Sequence, residues 1–203
     1  MPGPSETPIL PSATPAAAGE AGAGPQVFLI DAGQSEVRYT IDEILRNAPN
    51  TVIGRSQGVQ GEIRIDAGDP GAAALGVFRV QADSFRTDSS LRDNATRSFI
   101  LESGAHPEIV FEPTAIEGLP AQAAVGEAYT LRVQGNLTIR GITRPVTFEA
   151  QVQATAPDRL EISARATILR GDFDLRIPSV PSVASVDEDV LLELDLVALR
   201  AGS

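Results

Sequence analysis

Few residues in this chain could carry out covalent or acid–base chemistry. His106 is the only histidine, and the 203 residues include no cysteine. A Ser–His–Asp arrangement would have to use His106, yet no Gly-x-Ser-x-Gly motif marks a nucleophile. The lack of cysteine excludes disulfides, thiolate metal sites and cysteine nucleophiles. The sequence therefore favours a turn residue over a catalytic base at His106, and it predicts that the protein is not an enzyme.

An acidic run is the one candidate for a metal site. Asp187, Glu188 and Asp189 follow one another between two predicted strands. Carboxylates suit a hard cation such as calcium, but the spacing is not that of an EF-hand loop. A solvated turn is therefore favoured over an ion site. Neither a metal nor a cofactor is predicted.

The charge balance narrows the class of partner. Sixteen basic residues, all of them arginine, stand against 27 acidic ones, which gives a net charge of −11. Nucleic acids and anionic membrane surfaces both attract basic patches, so both are disfavoured. No apolar run approaches the roughly 20 residues of a membrane span, so no integral membrane segment is predicted in this chain.

Residues 1–25 differ in composition from the rest. They contain 6 of the 15 prolines, a run of Ala and Gly, and only Glu6 and Glu20 as charges. Such a segment buries too little apolar surface to offset its chain entropy. We expect a disordered tail here, without a secretory signal, that could tether the folded domain to a removed signal or anchor. The folded domain is predicted over residues 26–203.

Most of the domain alternates between apolar and polar residues. Residues 131–139 and 146–154 show this most clearly, and residues 37–41, 61–65, 78–82, 108–116, 160–168 and 190–199 follow the same pattern to differing degrees. Period-two alternation is typical of antiparallel strands with one buried face. Residues 88–104 lack it, and the spacing of Leu91, Ala95 and Phe99 predicts a short helix. The fold class predicted is all-β, an eight-stranded antiparallel barrel with a short helical insertion.

A hairpin joins the two longest strands. The connection 140–145 contains Gly141, which can adopt a positive φ, and Pro145, which cannot donate to a ladder. We therefore expect Gly141 at positive φ and Pro145 at the first position of the second strand.

The inward-facing side chains decide whether such a barrel is hollow. An eight-stranded barrel is wide enough to be filled by its side chains or to hold one small ligand. Many predicted inward positions are small, and only a few are aromatic, which favours an open apolar tunnel. A flattened barrel with a solid core stays open as an alternative. The small positions are Gly61, Ala82, Gly135, Ala150, Ala154, Ala164 and Ala166, and the aromatic ones are Tyr39, Phe78, Phe111 and Phe148.

An apolar tunnel suits a long acyl or isoprenoid chain whose polar head stays at the mouth. If that head is anionic, Arg86, Arg92 and Arg97 around the helical insertion are candidate partners, because arginine pairs with phosphate or carboxylate through two donors. Pairing within the protein, such as Arg92 with Asp88, is the alternative for each of them.

The segment G-x-L-T-I-R-G-I-T-R-P-V at residues 135–146 resembles the hairpin of YceI-like proteins. The segments S-E-V-R-Y (35–39), H-P-E-I-V-F (106–111), R-G-D-F (170–173) and D-V-L-L-E-L (189–194) resemble that family in the same order, as does Thr87 to Asp93 with Arg97 and Phe99. The resemblance covers about residues 26–200. It implies a lipocalin-like barrel that binds polyisoprenoids and other long-chain amphiphiles.

The resemblance implies a function outside the cytoplasm, in the periplasm or an equivalent compartment. We expect binding or transport of a long-chain isoprenoid or fatty amphiphile without catalysis; a homodimer stays open. An interaction domain with a solid core and, less favoured, an enzyme acting on such lipids are the alternatives. The ligand-binding residues predicted are Tyr39, Phe78, Phe99, Phe111, Leu137, Phe148, Ala164 and Arg92.

Overall fold

The computed structural model describes residues 24–66, 68–179 and 183–202. The predicted disordered tail, residues 1–25, therefore lies almost entirely outside the described residues. The first strand begins at Pro25, at the predicted boundary of the folded domain.

Antiparallel strands make up most of the described chain. A short helix, α1 (Ser90–Ala95), is followed directly by a π-helical turn (Thr96–Ile100). Short 3-10 segments cover Ala32–Gln34 and Arg170–Phe173. The strands are β1 (Pro25–Ile30), β2 (Glu36–Leu45), β3 (Ala48–Ser56), β4 (Val59–Gln60), β5 (Glu62–Asp66), β6 (Asp69–Leu75), β7 (Phe78–Gln81), β8 (Glu108–Glu117), β9 (Ala128–Ile139), β10 (Ile142–Ala156), β11 (Arg159–Leu169), β12 (Val183–Val186) and β13 (Asp189–Arg200).

The sheet curls round until its two ends meet. Strands β7, β8, β9, β10, β11 and β13 pair in that order, each with the next. The first half of β13 then pairs with β2 and its last residues pair with β1. β3 pairs with β2 and β5 pairs with β1, while β4, which lies between them in the chain, pairs with β7. Because only Gly61 separates β4 from β5, the pairing of β4 with β7 joins the two sides of the curled sheet.

The described residues form thirteen strands rather than the predicted eight. Five observed strands are not among the eight predicted: β1, β3 and β6, and the short β4 and β12. Residues 57–58 and Gly61 lie outside the strands and separate β3, β4 and β5 from one another. The all-β, antiparallel class is nevertheless confirmed.

The β9–β10 hairpin has a tighter turn than the sequence suggested. Ile139 pairs directly with Ile142, so the turn is Arg140-Gly141 alone, with φ values of 52° and 74°. Two residues at positive φ form a type I′ turn, whose twist matches that of the strands. The prediction of a positive φ at Gly141 is confirmed.

The prediction for Pro145 is wrong in its position within the strand. β10 begins at Ile142, so Pro145 is its fourth residue and pairs with Asn136. β11 pairs with β10 only from Glu149 onward. The proline therefore lies on a part of β10 that has one ladder partner, where a missing N–H is tolerated.

The helical insertion is confirmed and begins with a side-chain cap. The hydroxyl of Ser89 accepts a hydrogen bond from the backbone N–H of Arg92, which satisfies one donor of the first turn. Behind the insertion, Ile41, Val52, Phe85, Leu101 and Phe173 belong to one buried apolar cluster. The helical side of the barrel is therefore packed with side chains.

Candidate ligand-binding cavity

An apolar cavity of about 680 Å³ occupies the interior of the barrel. This volume lies within the range of roughly 300–1,000 Å³ that is usual for small-molecule sites. Nearly all of its wall is aliphatic or aromatic. β9, β10, β11 and β13 contribute alternate residues, among them Leu131, Val133, Leu137, Phe148, Ala150, Val152, Leu160, Ile162, Ala164, Leu192, Leu194 and Leu196.

Several inward side chains are only half-buried, although they lie in the middle of long strands. Leu192 and Leu194 on β13 are examples, as is Ala164 on β11. β13 is paired on both edges at Leu192 and Leu194, so no missing strand exposes them. Their accessible surface faces the hollow interior.

Six of the eight predicted ligand-binding residues line this cavity: Tyr39, Phe78, Phe111, Leu137, Phe148 and Ala164. They come from six strands, β2, β7, β8, β9, β10 and β11, and the barrel brings them together. Phe111 and Phe148 meet edge to face, with ring centroids 5.0 Å apart. That these residues contact a ligand stays a prediction.

Tyr39 stands where the cavity ends against the helical insertion. Its ring lies 5.4 Å from that of Phe85, and its hydroxyl is hydrogen-bonded with Thr96 of the π-helical turn. Burial raises the pKa of Tyr39, so the phenol stays protonated. Beyond it the buried apolar cluster closes this end of the barrel.

The cavity opens at the opposite end. The lining residues that are also solvent-exposed are Ala123, Ala124 and Val125 in the β8–β9 connection, and Pro157 in the β10–β11 turn. The wall also includes Gln26 of β1 and Arg200 of β13. We call this end, residues 65–66, 68–73, 118–127 and 156–158 with Gln26 and Arg200, the mouth.

Hydrogen bonds hold the β8–β9 connection across the mouth. The Tyr129 hydroxyl accepts from the backbone N–H of Ala124 at 3.0 Å and donates to Glu127 at 2.7 Å. The side-chain amide of Gln153 on β10 donates to the carbonyl of Gly126 at 2.7 Å. These contacts fix the apolar residues of the connection beside the opening.

The structure does not bring Phe99 and Arg92, the other two predicted ligand-binding residues, to the cavity. Phe99 is 63% exposed on the outside of the π-helical turn. Arg92 pairs with Asp88 and lies 3.6 Å from the buried carboxylate of Glu43. The insertion covers the closed end of the cavity rather than its mouth.

The neighbouring arginines are also engaged within the protein. Arg86 donates to the carbonyls of Asp83 and Phe85 at 2.8 Å, and Arg97 donates to Asn94. All three arginines of the insertion therefore interact within the protein, which is the alternative that the sequence left open.

The described residues show no metal-binding constellation. His106 lies beside Gly141, where a β-carbon would be 3.1 Å from the imidazole Cε1. Glu188 of the acidic run pairs with Arg170. No group of three or more His, Asp or Glu residues in the described ranges is placed to hold a metal ion. Nor does any described helix have the length and apolarity needed to cross a membrane.

Together, the curled antiparallel sheet and its apolar cavity define the class of small lipocalin-like barrels. The family model of the YceI-like domain matches residues 28–198. The chain belongs to the YceI-like family.

Two relatives are similar to this chain in sequence. A UPF0312 protein of Shewanella oneidensis is 26% identical over 148 residues, which cover 70% of this chain and 73% of the relative. A UPF0312 protein of Pseudomonas fluorescens is 31% identical over 135 residues, covering 63% of this chain and 65% of the relative.

Solved structures share the barrel at low sequence identity. A polyisoprenoid binding domain from Saccharophagus degradans, implicated in plant cell wall breakdown, superposes with a TM-score of 0.68 at 17% identity and covers 86% of this chain and 99% of that one. BcnA of Burkholderia cenocepacia gives a TM-score of 0.64 at 20% identity, covering 83% and 98%. At these identities the likeness shows the fold.

Proposed function

We propose that this protein binds a long-chain isoprenoid or fatty amphiphile in the barrel cavity and carries it unchanged. The observation that carries the proposal is the cavity of about 680 Å³ with its almost wholly apolar wall. Each buried methylene contributes roughly 0.8 kcal/mol, so a chain of about ten carbons offsets the ordering cost of association. The solved relative from Saccharophagus degradans described as a polyisoprenoid binding domain supports the same ligand class.

Two alternatives fit the structure less well. An interaction domain with a solid core would leave no cavity of this size. An enzyme acting on lipids would need polar groups that converge on the chain inside the barrel. The hydroxyl of Tyr39, a polar group in the described wall, is hydrogen-bonded with Thr96 of the π-helical turn and so is not directed at a bound chain.

A function outside the cytoplasm is part of the proposal and comes from the family resemblance. Fractionation of cells that produce the protein from its own gene tests it, and recovery in the cytoplasmic fraction contradicts it. A homodimer is a further hypothesis, which light scattering of the purified protein tests.

The binding experiment uses purified protein in two forms. Native mass spectrometry first identifies any lipid that copurifies. The delipidated protein is then titrated with a fluorescent long-chain acyl probe. Saturable binding, reversed by a non-fluorescent long-chain isoprenoid, is expected; no copurified lipid and no saturable binding would contradict the carrier function.

A further inference from the structure

The head group of a ligand in this cavity must lie at the mouth. The opposite end is closed by Phe85, Leu101 and Phe173, all of them at least 92% buried. A charged or strongly hydrated head cannot be placed among such groups without a large desolvation penalty. Only the mouth gives the head access to water.

Carboxylates surround the mouth. Asp66 follows the lining residue Ile65, and Asp69 precedes the lining residue Pro70. Glu127 accepts a hydrogen bond from the lining residue Tyr129 at 2.7 Å. Asp158 follows the lining residue Pro157, and its backbone carbonyl accepts from the N–H of Arg200 at 2.9 Å.

The arginines on the strands around the mouth are already paired with carboxylates. Arg64 lies 2.6 Å from Glu62, and Arg159 lies 2.9 Å from Glu161. Arg132 lies 3.8 Å from Glu117. Arg200 is the cation in the cavity wall at the mouth, and it has an interaction of its own within the protein.

The charges of the described residues around the mouth do not balance. β1 begins at Pro25, which pairs with Asp66 of β5 beside the mouth. Asp66, Asp69, Glu127 and Asp158 therefore outweigh Arg200, and the potential at the opening is negative.

We propose that the mouth selects against anionic head groups, so that the ligand is a long isoprenoid or acyl chain with an uncharged head, such as an alcohol, a quinone or an amide. This inference rests on the proposed function, because it concerns the head of a chain bound in the cavity. A phosphate, diphosphate or carboxylate head at the same place is repelled by these like charges.

The test compares two ligands with the same tail. Geranylgeraniol and geranylgeranyl diphosphate are each titrated into delipidated protein that holds a fluorescent long-chain probe, and displacement of the probe is measured. The double variant Asp66→Asn with Asp158→Asn removes two charges at the mouth while keeping side-chain size. Asp172→Asn, an exposed aspartate in the 3-10 segment Arg170–Phe173 at the closed end, is the matched control.

The double variant is expected to bind the diphosphate about fivefold more tightly than the wild type at low salt. Its affinity for the alcohol should not change, and Asp172→Asn should change neither affinity. Raising the ionic strength from about 0.01 M to about 0.15 M shortens the Debye length from roughly 30 Å to roughly 8 Å. The same change should tighten diphosphate binding to the wild type more than to the double variant.

The outcomes separate the two proposals. If geranylgeraniol binds, but salt weakens diphosphate binding and the double variant leaves it unchanged, the inference about the head group is overturned while the carrier function stands. If neither ligand displaces the probe, the carrier function is overturned, and the head-group inference with it. An equal increase in affinity for the diphosphate in the double variant and in Asp172→Asn would also overturn the inference, because the effect would then depend on net charge alone.

Discussion

The ring of Phe111 lies directly over Gly135 of the neighbouring strand. A β-carbon on Gly135 would be 2.5 Å from Cζ of Phe111 and 2.6 Å from the carbonyl oxygen of Glu112. The rings of Phe78 and Tyr39 cover Gly61 and Gly54 in the same way. Three aromatic rings of the cavity wall thus lie flat in spaces left by glycines, a known way for sheets to shield a glycine.

This arrangement predicts that Gly135 does not tolerate a side chain. Gly135→Ala forces the Phe111 ring and the adjacent backbone to move, and we expect a loss of about 1–3 kcal/mol in the free energy of unfolding. Urea unfolding measures it. Gly104→Ala is the control, because a β-carbon there meets nothing within 4 Å. Equal effects at the two positions would show that the contact is not the cause.

The same contact limits what the sequence could predict about the cavity. Gly61 and Gly135 counted as small inward residues that leave space open, but the rings of Phe78 and Phe111 occupy that space. The open volume lies instead beside alanines such as Ala150, Ala154 and Ala164. Alternation identified the inward positions, whereas the direction in which each ring points depends on the neighbouring strand.

The hairpin turn gives a second prediction. Gly141 has a φ of 74° in a two-residue turn, a conformation that asparagine adopts more readily than β-branched residues do. Gly141→Val should lower the free energy of unfolding by about 1–3 kcal/mol, and Gly141→Asn by clearly less. Both variants add a β-carbon near His106, so their difference isolates the backbone strain. Equal losses would assign the effect to His106 instead.

The β2–β3 hairpin shows why part of the fold was missed. Its turn, Arg46-Asn47, has φ values of 50° and 62° but contains no glycine. Pro49 lies inside β3 and pairs with Ile44, although a proline usually argues against a strand. Here tertiary pairing outweighs local preference, whereas the β9–β10 hairpin has both alternation and Gly141 and was predicted.

Strand alternation predicts which side chains face the interior of the barrel, and Tyr39, Phe111 and Leu137 follow from it. Arg92 is predicted near the head group because arginine pairs with an anion, and Phe99 is predicted to bind the ligand. No local pattern tells which end of the barrel a short helix covers. The connection at residues 118–127 has no strand pattern, so the sequence gave no signal that it forms part of the mouth.

Glu36 gives a prediction about pH. Burial would raise its pKa, but hydrogen bonds from Arg38 and Arg55 outweigh that effect and hold the pKa below the ordinary value of 4.5. A carboxylate whose pKa is depressed on folding stabilises the protein above its unfolded pKa, and this contribution is lost as the pH falls through the folded value. Its magnitude is at most about 1 kcal/mol, because the ion pairs are partly exposed.

Glu36→Gln should therefore lower the free energy of unfolding at neutral pH, and the difference from the wild type should shrink when both are unfolded in urea at about pH 3. Glu112→Gln, at an exposed carboxylate on β8, is the control for removing one carboxylate from the sheet. A difference for Glu36→Gln that is as large in acid as at neutral pH would contradict the ion-pair explanation.

Ala164 and Ala166 test whether the cavity is a real space. Ala164 lines the cavity, opposite Ala150 and Leu194 in the neighbouring strands, while Ala166 is only 7% exposed and packs with Val133 and Phe148. A phenylalanine at Ala164 can enter the hollow interior. The same substitution at Ala166 overfills packed structure and should lower the free energy of unfolding by about 1–3 kcal/mol.

We therefore expect Ala164→Phe to keep or raise the stability of the ligand-free protein. It should also weaken binding of a fluorescent long-chain probe about tenfold, because the ring displaces about two methylenes worth roughly 0.8 kcal/mol each. Urea unfolding and probe titration measure the two effects. If Ala164→Phe destabilises the protein as much as Ala166→Phe does, and the wild type binds no long chain, then the barrel is solid in solution, and the interaction domain replaces the carrier as the better account of this fold.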